Sequence, residues 1–133
     1  MKSAKNVLTN QELEIMKVIW SRDSATVRDV YEELLKRRKI AYTTVMTVMG
    51  TLEQKGHLRK SEQGRAYVYA SVEPQTKVVG SMVQEFVKRV FNGSCRPLLV
   101  HLVETLEDDA DQLEEIRRLL RDKKLLKEKR RKK

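Results

Sequence analysis

The chain has 133 residues, with 28 Lys or Arg against 19 Asp or Glu, so its formal net charge is +9. This length is enough for one domain of ordinary size with its own hydrophobic core. The single cysteine excludes an intrachain disulfide and a cysteine-rich zinc site. No apolar run approaches the roughly 20 residues of a membrane-spanning helix. We therefore expect a cytoplasmic protein with no membrane insertion.

The positive charge is concentrated at the two ends of the chain. Residues 1–72 carry a net charge of +5, residues 73–120 a net charge of −3 and residues 121–133 a net charge of +7. Basic blocks are typical of proteins that bind a polyanion such as nucleic acid. For the C-terminal block alone, a solubilising tail is an equally good interpretation.

Two short amphipathic helices are predicted first. Thr9 and Glu12 form a capping box for a helix that runs to about Trp20, and Thr26 caps the second helix with Asp29. The predicted buried residues are Leu13, Met16, Ile19 and Trp20 in the first helix, and Val27, Val30, Tyr31, Leu34 and Leu35 in the second. The basic run 36–39 ends the second helix, where positive charge favours the helix dipole.

A third helix is predicted from Tyr42 to about Lys55, with Gly56 as the residue that ends it. Its predicted buried stripe is Val45, Val48, Met49 and Leu52, and the opposite face is Thr43, Met46, Thr47, Gly50 and Gln54. The opposite face carries no charge, which is unusual for a helix surface exposed to water.

After the third helix the hydrophobic period changes to two. Residues 58–61 and 66–71 are predicted strands joined by a turn at 62–65, which makes a β-hairpin. The order α-α-α-β-β, with a short link between the second and third helices, indicates a winged helix-turn-helix. An all-α bundle is disfavoured because Tyr67, Val68 and Tyr69 are strand formers in alternation.

The rest of the chain is predicted to be helical. One helix spans about Gln75 to Phe91 and ends at Asn92-Gly93, a second begins with Ser94 as N-cap and Pro97 in its first turn, and a third is capped by Asp109 with Gln112 and extended by Leu125 and Leu126. We therefore divide the chain into a winged-helix domain at 1–72, a helical dimerisation domain at 73–124 and a basic tail at 125–133. The fold class is mostly α with a small β-hairpin.

These C-terminal helices carry more apolar surface than one chain can cover. The predicted dimerisation residues are Val79, Met82, Val83, Phe86, Leu99, Leu102, Val103, Leu106, Leu113, Ile116 and Leu120. The alternative is that the helices pack back on the head. We favour a separate dimerisation arm because the segment is acidic while the head is basic.

The sequence offers little material for an enzyme. His57 and His101 have no partner at metal-ligand spacing, and the five glycines are isolated. Cys95 beside Arg96 is in a setting that can lower a thiol pKa, but an ordinary loop cysteine is the preferred interpretation. We expect no catalysis, no metal and no cofactor.

DNA binding fits the winged helix-turn-helix pattern better. The third helix of this motif enters the major groove with its first residues against base edges. The predicted base-contacting residues are Tyr42, Thr43, Thr44, Met46 and Thr47. Because none of them reads a base bidentately, we expect specificity from several weak contacts and from DNA shape. The alternative is that the threonines only cap and solvate the helix.

Positive side chains near this helix are predicted to neutralise phosphates. The predicted residues are the basic run 36–39 before the third helix, which includes Arg38, and Lys60 on the first strand. Arg65 at the hairpin tip could reach a neighbouring groove or a phosphate. Phosphate contacts set affinity and salt dependence without reading sequence. The alternative for the run is a solvated stretch of charge.

Motifs along most of residues 7–120 resemble those of one known family. They are Leu13-Glu14-Ile15-Met16, Ile19-Trp20, Thr26-Val27-Arg28-Asp29-Val30, Ala41-Tyr42-Thr43-Thr44-Val45-Met46-Thr47, Leu52-Glu53-Gln54-Lys55-Gly56 and Gly64-Arg65-Ala66-Tyr67-Val68-Tyr69. This pattern is similar to the penicillinase-repressor family of bacterial transcriptional regulators (BlaI/MecI/CopY). The resemblance implies a homodimeric repressor, joined by its C-terminal helices, that binds a double-stranded operator with dyad symmetry.

The chain departs from the family pattern in several places. It lacks the paired Cys-x-Cys motifs of the copper-responsive members, so copper sensing is not expected. In members that control β-lactam resistance, a membrane sensor-protease pathway leads to a cut at an Asn-Phe bond, and the matching position here is His101-Leu102. Thr51 stands where many relatives have arginine, and the tail from Leu125 to Lys133 lies outside the pattern. The resemblance implies control of β-lactam-resistance or related genes, relieved by proteolysis of the arm. Because the bond itself differs, either the cognate protease differs or this member responds to another signal.

Two other functions remain open from the sequence. One is a winged-helix module that binds a protein through its third helix and wing. The other is a nonspecific nucleic-acid binder driven by the basic tail. The sequence specifies neither the operator, nor the regulated genes, nor the inducing signal.

Overall fold

The computed structural model describes residues 7–106 and 109–131, with side chains of the last helix described up to residue 123. The elements in chain order are α1 (Asn10–Arg22), β1 (Ser24–Ala25), α2 (Val27–Leu35), α3 (Tyr42–Gln54), β2 (Leu58–Gln63), β3 (Ala66–Ser71), α4 (Gln75–Phe91), α5 (Arg96–Thr105) and α6 (Ala110–Arg131). The chain divides into two compact units, Met1–Phe86 and Val87–Lys133. The first contains the predicted winged helix-turn-helix head.

Both predicted capping boxes at the start of the head are confirmed. The Glu12 backbone N–H donates to Thr9 Oγ1 at 3.1 Å, and the Thr9 N–H donates to Glu12 Oε1 at 2.9 Å. Thr26 and Asp29 repeat the arrangement at 3.0 Å in both directions. These bonds satisfy backbone donors that the first turn of a helix otherwise leaves free, and each such cap typically contributes about 1 kcal/mol.

The predicted end of α3 is also confirmed. Gly56 has a φ of 87°, a left-handed conformation that favours glycine. Its N–H donates to the Glu53 carbonyl at 3.0 Å, and the His57 N–H donates to the Leu52 carbonyl at 2.9 Å. This pair of bonds is a Schellman motif, which closes the helix and turns the chain into β2.

The sheet has one strand more than the sequence pattern indicated. The strand order is β1-β3-β2, and β1 pairs antiparallel with β3 through Ser24 opposite Ala70 and Ala25 opposite Tyr69. The prediction treated this segment as a break between helices. A two-residue strand is too short to show an alternating pattern, so its pairing was not visible in the sequence.

The hairpin between β2 and β3 has a tighter turn than predicted. Gln63 pairs with Ala66, so the turn consists of Gly64 and Arg65 alone rather than residues 62–65. Gly64 has a φ of 66°, as the first central position of a type II′ hairpin turn requires. The short turn places Arg65 at the extreme tip of the wing.

Helices α1, α2 and α3 pack with the sheet around a single core. Its largest fully buried side chains are Ile15, Met16, Ile19, Val30, Leu34, Val45, Met49 and Leu52. The predicted stripe of α1 was incomplete, because Ile15 and Val18 are buried while Leu13 and Trp20 are only half-buried. The prediction that Leu35 is a core residue was wrong, since it is exposed at the last turn of α2.

The start of α4 belongs to the packing of the head. Val78 is only 5% exposed and lies in the same buried cluster as the head core, and Met82 packs against that cluster. The first compact unit therefore runs on to Phe86, beyond the boundary at residue 72 that was drawn from the sequence. Val78 and Met82 lie one helical turn apart on the same face of α4, and both contact the head core.

The second unit begins with the last residues of α4 and contains α5 and α6. Ser94 is not the N-cap of α5, because the helix begins at Arg96 and Cys95 takes the cap position without a side-chain bond. The predicted cap of α6 is confirmed, since Asp109 Oδ1 accepts from the Gln112 N–H at 3.1 Å. The backbone of α6 is helical to Arg131, which includes the predicted extension at 125–126. The side chains of Leu125 and Leu126 lie outside the described residues.

Candidate nucleic-acid interface

The third helix separates a buried face from an exposed one, as predicted. Val45 and Met49 are fully buried, whereas Met46 is 48% exposed and Thr43 and Thr47 are also exposed. Thr44 is half-buried. Because the buried face fixes α3 to the head, the exposed residues of its first two turns form an uncharged surface open to a partner.

The start of α3 is not capped by its threonines. The N-cap residue is Ala41, and no side chain bonds to the first backbone N–H groups. Thr43 and Thr47 therefore do not cap the helix, which contradicts the capping part of the alternative that they only cap and solvate it. Their hydroxyl groups remain at the surface, where threonine can hydrogen-bond a base or a phosphate.

Tyr42 is held in place by an aromatic contact. Its ring meets Tyr31 of α2 edge to face, with centroids 5.4 Å apart and planes at 82°. Such pairs contribute about 0.5–1.5 kcal/mol beyond area burial. The contact ties the first residue of α3 to the preceding helix while about two-fifths of Tyr42 stays exposed.

The basic run before α3 is partly neutralised by acids of the head. Lys36 Nζ lies 3.2 Å from Glu33 Oε2, and Arg38 Nη2 lies 2.8 Å from Glu14 Oε1. The hydrogen bonds from Arg38 hold the pKa of the Glu14 carboxyl below its ordinary value, and burial opposes this only in part. The same contact raises the pKa of Arg38. Arg38, predicted to bind phosphate, is therefore engaged within the head.

The wing presents cations along an exposed hairpin. Every residue of β2 after Leu58 is exposed, and Arg65 is exposed at the tip. Lys60 Nζ lies 3.8 Å from Glu53 Oε1 on α3 and 4.6 Å from the centroid of the Tyr67 ring. Lys60 thus links the wing to α3, and Arg65 lies in the turn that ends the wing.

One ion pair that holds α3 was missed by the sequence interpretation. Lys55 Nζ donates to Glu12 at 2.8 and 3.1 Å, and Glu12 is almost fully buried. The capping box predicted Glu12 as a helix cap only. Nothing in the local pattern indicated a partner 43 positions away.

A second missed contact lies at the far side of the head. The Trp20 indole N–H donates to Ser71 Oγ at 2.9 Å, and the Ser71 hydroxyl in turn donates to the Glu73 carbonyl. These two hydrogen bonds join the end of α1 to the end of β3. It belongs to the packing of the head and not to the exposed surface of α3.

The predicted dimerisation residues of the second unit form an exposed apolar surface. On α5, Leu99, Leu102 and Val103 are each 42–45% exposed, and Leu120 on α6 is 59% exposed. Leu106, Leu113 and Ile116 are half-buried.

The predicted dimerisation residues of α4 lie in the first unit. Val79 and Met82 are half-buried, while Val83 and Phe86 are exposed at 49% and 40%. Met82 also contacts the head core. Neither unit thus buries all of its apolar helix surface within itself.

The candidate proteolytic site lies in the middle of a helix. His101 and Leu102 are both exposed residues of α5. The His101 carbonyl accepts from Thr105 Oγ1 at 2.9 Å, and the Leu102 carbonyl accepts from the Leu106 N–H at 3.1 Å. A protease would reach these side chains at the surface but would need to open the helix to cut the bond.

Two kinds of site are absent from the described part of the chain. Within residues 7–106 and 109–131, no group of three or more His, Cys, Asp or Glu side chains could hold a metal ion. Among the same residues, no helix is long and apolar enough to cross a bilayer.

The chain is similar to proteins of known classification. The sequence profile of the penicillinase repressor family matches residues 8–122. The transcriptional regulator BlaI of Mycobacterium tuberculosis is 39% identical over 115 residues, which cover 85% of this chain and 82% of that protein. The penicillinase repressor of Bacillus licheniformis is 26% identical over 117 residues, covering 88% and 91%. The complex structure of hsRosR-S4 matches 95% of this chain and 98% of its own with a TM-score of 0.52 at 17% identity, a likeness of fold alone.

Proposed function

The chain belongs to the penicillinase repressor family and is a DNA-binding transcriptional repressor; from this premise we propose that it acts as a homodimer on an operator with dyad symmetry. The observation that carries the proposal is the surface of α3. Thr43, Met46 and Thr47 are exposed on α3, which corresponds to the helix that enters the major groove in helix-turn-helix proteins, and none of them belongs to the core. Arg65 at the wing tip supplies a phosphate contact beside it.

The proposed base reading follows from the chemistry of this surface. Threonine hydroxyls donate to or accept from base edges, and the Thr and Met side chains pack against thymine methyl groups. No charged side chain stands on the exposed face of the first two turns. We therefore propose that specificity comes from several weak contacts together with the shape of the duplex.

The proposed homodimer is supported by the exposed apolar residues of α5 and α6. Leucines and valines that are two-fifths or more exposed on neighbouring turns are costly in water, and large patches of this kind typically mark association sites. A two-fold pair would present two heads to half-sites about 34 Å apart, or a multiple of that distance. Tethering raises the effective concentration of the second head after the first has bound.

Relief of repression is proposed to occur by cleavage of the arm. A cut at His101-Leu102 would divide α5 and separate the head from the exposed apolar residues that follow. We propose that a membrane sensor-protease pathway delivers this cut and that the controlled genes concern β-lactam resistance. The support is the family membership and the exposure of both side chains. We further propose that the chain acts in the cytoplasm and has no enzymatic activity of its own, in keeping with the regulators that it resembles.

The experiment is a selection of duplexes by the full-length chain from a random-sequence pool, followed by affinity measurements at about 150 mM salt. We expect the selected duplex to contain an inverted repeat and to bind about a thousandfold or more tightly than a random duplex of equal length. Sedimentation of the complex should give two chains per duplex. Equal, steeply salt-dependent affinity for both duplexes would support the nonspecific binder instead, and no affinity for either would support the protein-interaction module.

A further inference from the structure

Arg38 and Glu14 form a two-pronged contact between α1 and the connection that leads into α3. Arg38 Nη2 donates to Glu14 Oε1 at 2.8 Å, and Arg38 Nε lies 3.3 and 3.2 Å from Oε1 and Oε2. The Glu14 side chain is 23% exposed and that of Arg38 is 44% exposed. The planar guanidinium matches a carboxylate in this way, which makes the contact directional as well as electrostatic.

The Arg38–Glu14 contact is one of two contacts that hold the short connection between α2 and α3 against the head. Residues 36–41 join α2 to α3, and Ile40 within this connection is buried in the head core. Arg38 anchors the same connection to α1 two residues earlier. Lys39 lies between the two anchors and is exposed. The backbone that carries Lys39 and enters α3 is therefore held on both sides.

The four cations of the run 36–39 thus fall into two classes. Lys36 and Arg38 have acidic partners, at Glu33 and Glu14. Arg37 and Lys39 form no ion pair with any residue in the described part of the chain. A phosphate would have to displace a carboxylate to reach Arg38, and the displaced Glu14 would then stand close to that phosphate with the same sign of charge. Lys39 presents no such obstacle, and Arg37, whose charge also acts on the Glu14 carboxyl, forms no ion pair with it.

We propose that Arg38 is a positioning residue, which through Glu14 fixes the connection into α3, and that Lys39 and Arg37 make the phosphate contacts of this run. The proposal rests on the proposed function, because it assigns roles within the same DNA-binding surface. It replaces the sequence-based prediction that Arg38 itself neutralises phosphate. A positioning role and a phosphate contact of Arg38 predict different salt dependences of DNA binding and different effects of substituting Glu14.

The experiment compares single variants of the full-length chain on two probes, a duplex selected by the wild-type chain and a random duplex of the same length. The variants are Arg38→Gln, Arg38→Lys, Glu14→Gln and Lys39→Gln. Lys77→Gln, which removes one exposed, ion-paired cation from α4, is the matched control. Affinity is measured by fluorescence anisotropy over a series of salt concentrations, and thermal unfolding is followed for each variant.

A phosphate contact and a positioning contact give different salt dependences. We expect Lys39→Gln to lower the slope of log affinity against log salt by about 0.9 and to weaken both duplexes alike. We expect Arg38→Gln, Arg38→Lys and Glu14→Gln each to weaken the selected duplex severalfold with the wild-type slope. Lysine keeps the positive charge at position 38 but lacks the two guanidinium donors, Nε and Nη2, that bind Glu14.

The opposite pattern would overturn the proposal. It consists of a lower slope for Arg38→Gln, wild-type binding for Arg38→Lys and tighter binding for Glu14→Gln, which would free Arg38 for a phosphate. If a single variant unfolds, the double variant Glu14→Arg with Arg38→Glu, which exchanges the two charges, is measured instead. Wild-type affinity of this double variant for the selected duplex would support the positioning role, and a loss of affinity would contradict it. If the wild-type chain binds both duplexes equally, the proposed function fails, and the slopes on the random duplex still assign Arg38.

Discussion

The carboxylate of Glu12 binds the ammonium of Lys55 at 2.8 Å, although 43 positions separate them in the chain. Glu12 lies in the first turn of α1, where it also accepts from the Thr9 N–H, and Lys55 is the C-cap of α3. One buried acid therefore completes a helix cap and holds the C-terminal end of the helix that carries the proposed DNA-binding surface. Residues of α1 thus contact the C-cap of α3 through Glu12 and the connection that leads into α3 through Glu14.

Removing the cation from this pair should destabilise the head. In Lys55→Met, the Glu12 carboxylate stays buried and keeps only the hydrogen bond that it accepts from the Thr9 N–H. Because a buried charge then lacks its main partner, we expect the free energy of unfolding to fall by about 1–3 kcal/mol in denaturant titrations. The double variant with Glu12→Gln should recover part of the loss, since a neutral amide needs no counter-charge. Wild-type stability of Lys55→Met would contradict this account.

The same carboxylate should make the head sensitive to acid. Burial raises the pKa of Glu12, but the hydrogen bond and charge of Lys55 and the bonds from Thr9 outweigh burial and hold the pKa below its ordinary value. The unfolded chain therefore binds the proton more readily than the folded chain does. The stability that Glu12 provides is present above its ordinary pKa of about 4.3 and is lost as the pH falls through the lower folded value.

This acid sensitivity can be measured by unfolding titrations between about pH 6 and pH 3. We expect the free energy of unfolding to decline towards low pH in the wild-type chain and to decline less steeply in Glu12→Gln. Glu14 and Asp29, whose pKa values are also lowered, keep part of the decline in the variant. Parallel curves for the two proteins would show that Glu12 does not contribute.

Two glycines near α3 should respond to alanine in opposite directions. Gly56 has a φ of 87°, where a side chain is strained, so Gly56→Ala should cost about 1–2 kcal/mol. Gly50 lies inside α3 with no atom within 4 Å of the position of an added Cβ, so Gly50→Ala should stabilise by about 0.5–1 kcal/mol. Denaturant titration of both variants checks the signs. A loss of stability in both would mean that α3 is constrained at Gly50 as well.

The wing tip should contribute to DNA affinity without contributing to stability. Arg65 is exposed and packs against no core residue, so Arg65→Ala should change the free energy of unfolding by no more than about 0.5 kcal/mol. We expect weaker binding to the selected duplex and a salt slope reduced by about 0.9, the value for one lost phosphate contact. Gln63→Ala on the same exposed hairpin is the control and should keep wild-type affinity. Unchanged affinity of Arg65→Ala at physiological salt would exclude the wing contact.

A charge on the exposed face of α5 should separate the proposed dimer. In Leu102→Glu, a carboxylate would have to enter an apolar interface, a penalty that association cannot readily offset. We expect a monomer in sedimentation experiments, a head that melts as in the wild type, and a large loss of operator affinity. Leu102→Ala keeps the surface apolar and should still dimerise. A Leu102→Glu chain that stays dimeric and binds tightly would place the interface elsewhere.

Local structure in the head could be predicted from the sequence because its causes lie within four residues. The capping boxes at Thr9 and Thr26, the end of α3 at Gly56 and the exposure of Met46 all follow from the helical period and from cap chemistry. Most of the two faces of α3 could be assigned for the same reason, although Val48, predicted to be buried, and Gly50, predicted on the exposed face, are both half-buried. The helix boundaries of α4 also agree, because Asn92-Gly93 is a strong helix terminator.

The partners of charged side chains could not be predicted in this way. A run of cations such as 36–39 has the same appearance in the sequence whether its members are paired or free. Only the packing of α1 against the rest of the head brings Glu14 to Arg38 and Glu12 to Lys55. The strand β1 was missed for a related reason, since two residues acquire extended structure by pairing with β3 and not from their own pattern.

The polar composition of β2 has a consequence for how copies of the chain can meet. With the order β1-β3-β2, β2 is an edge strand whose outer backbone groups have no neighbouring strand, and such edges invite pairing with another molecule. Here the edge carries Arg59, Lys60 and Glu62 in quick succession, and β1 shields the other side of β3 next to Ala70. Charged side chains on an edge strand, lysine especially, disfavour pairing with a second sheet. The edge of the wing is therefore an unfavourable place for edge-to-edge aggregation.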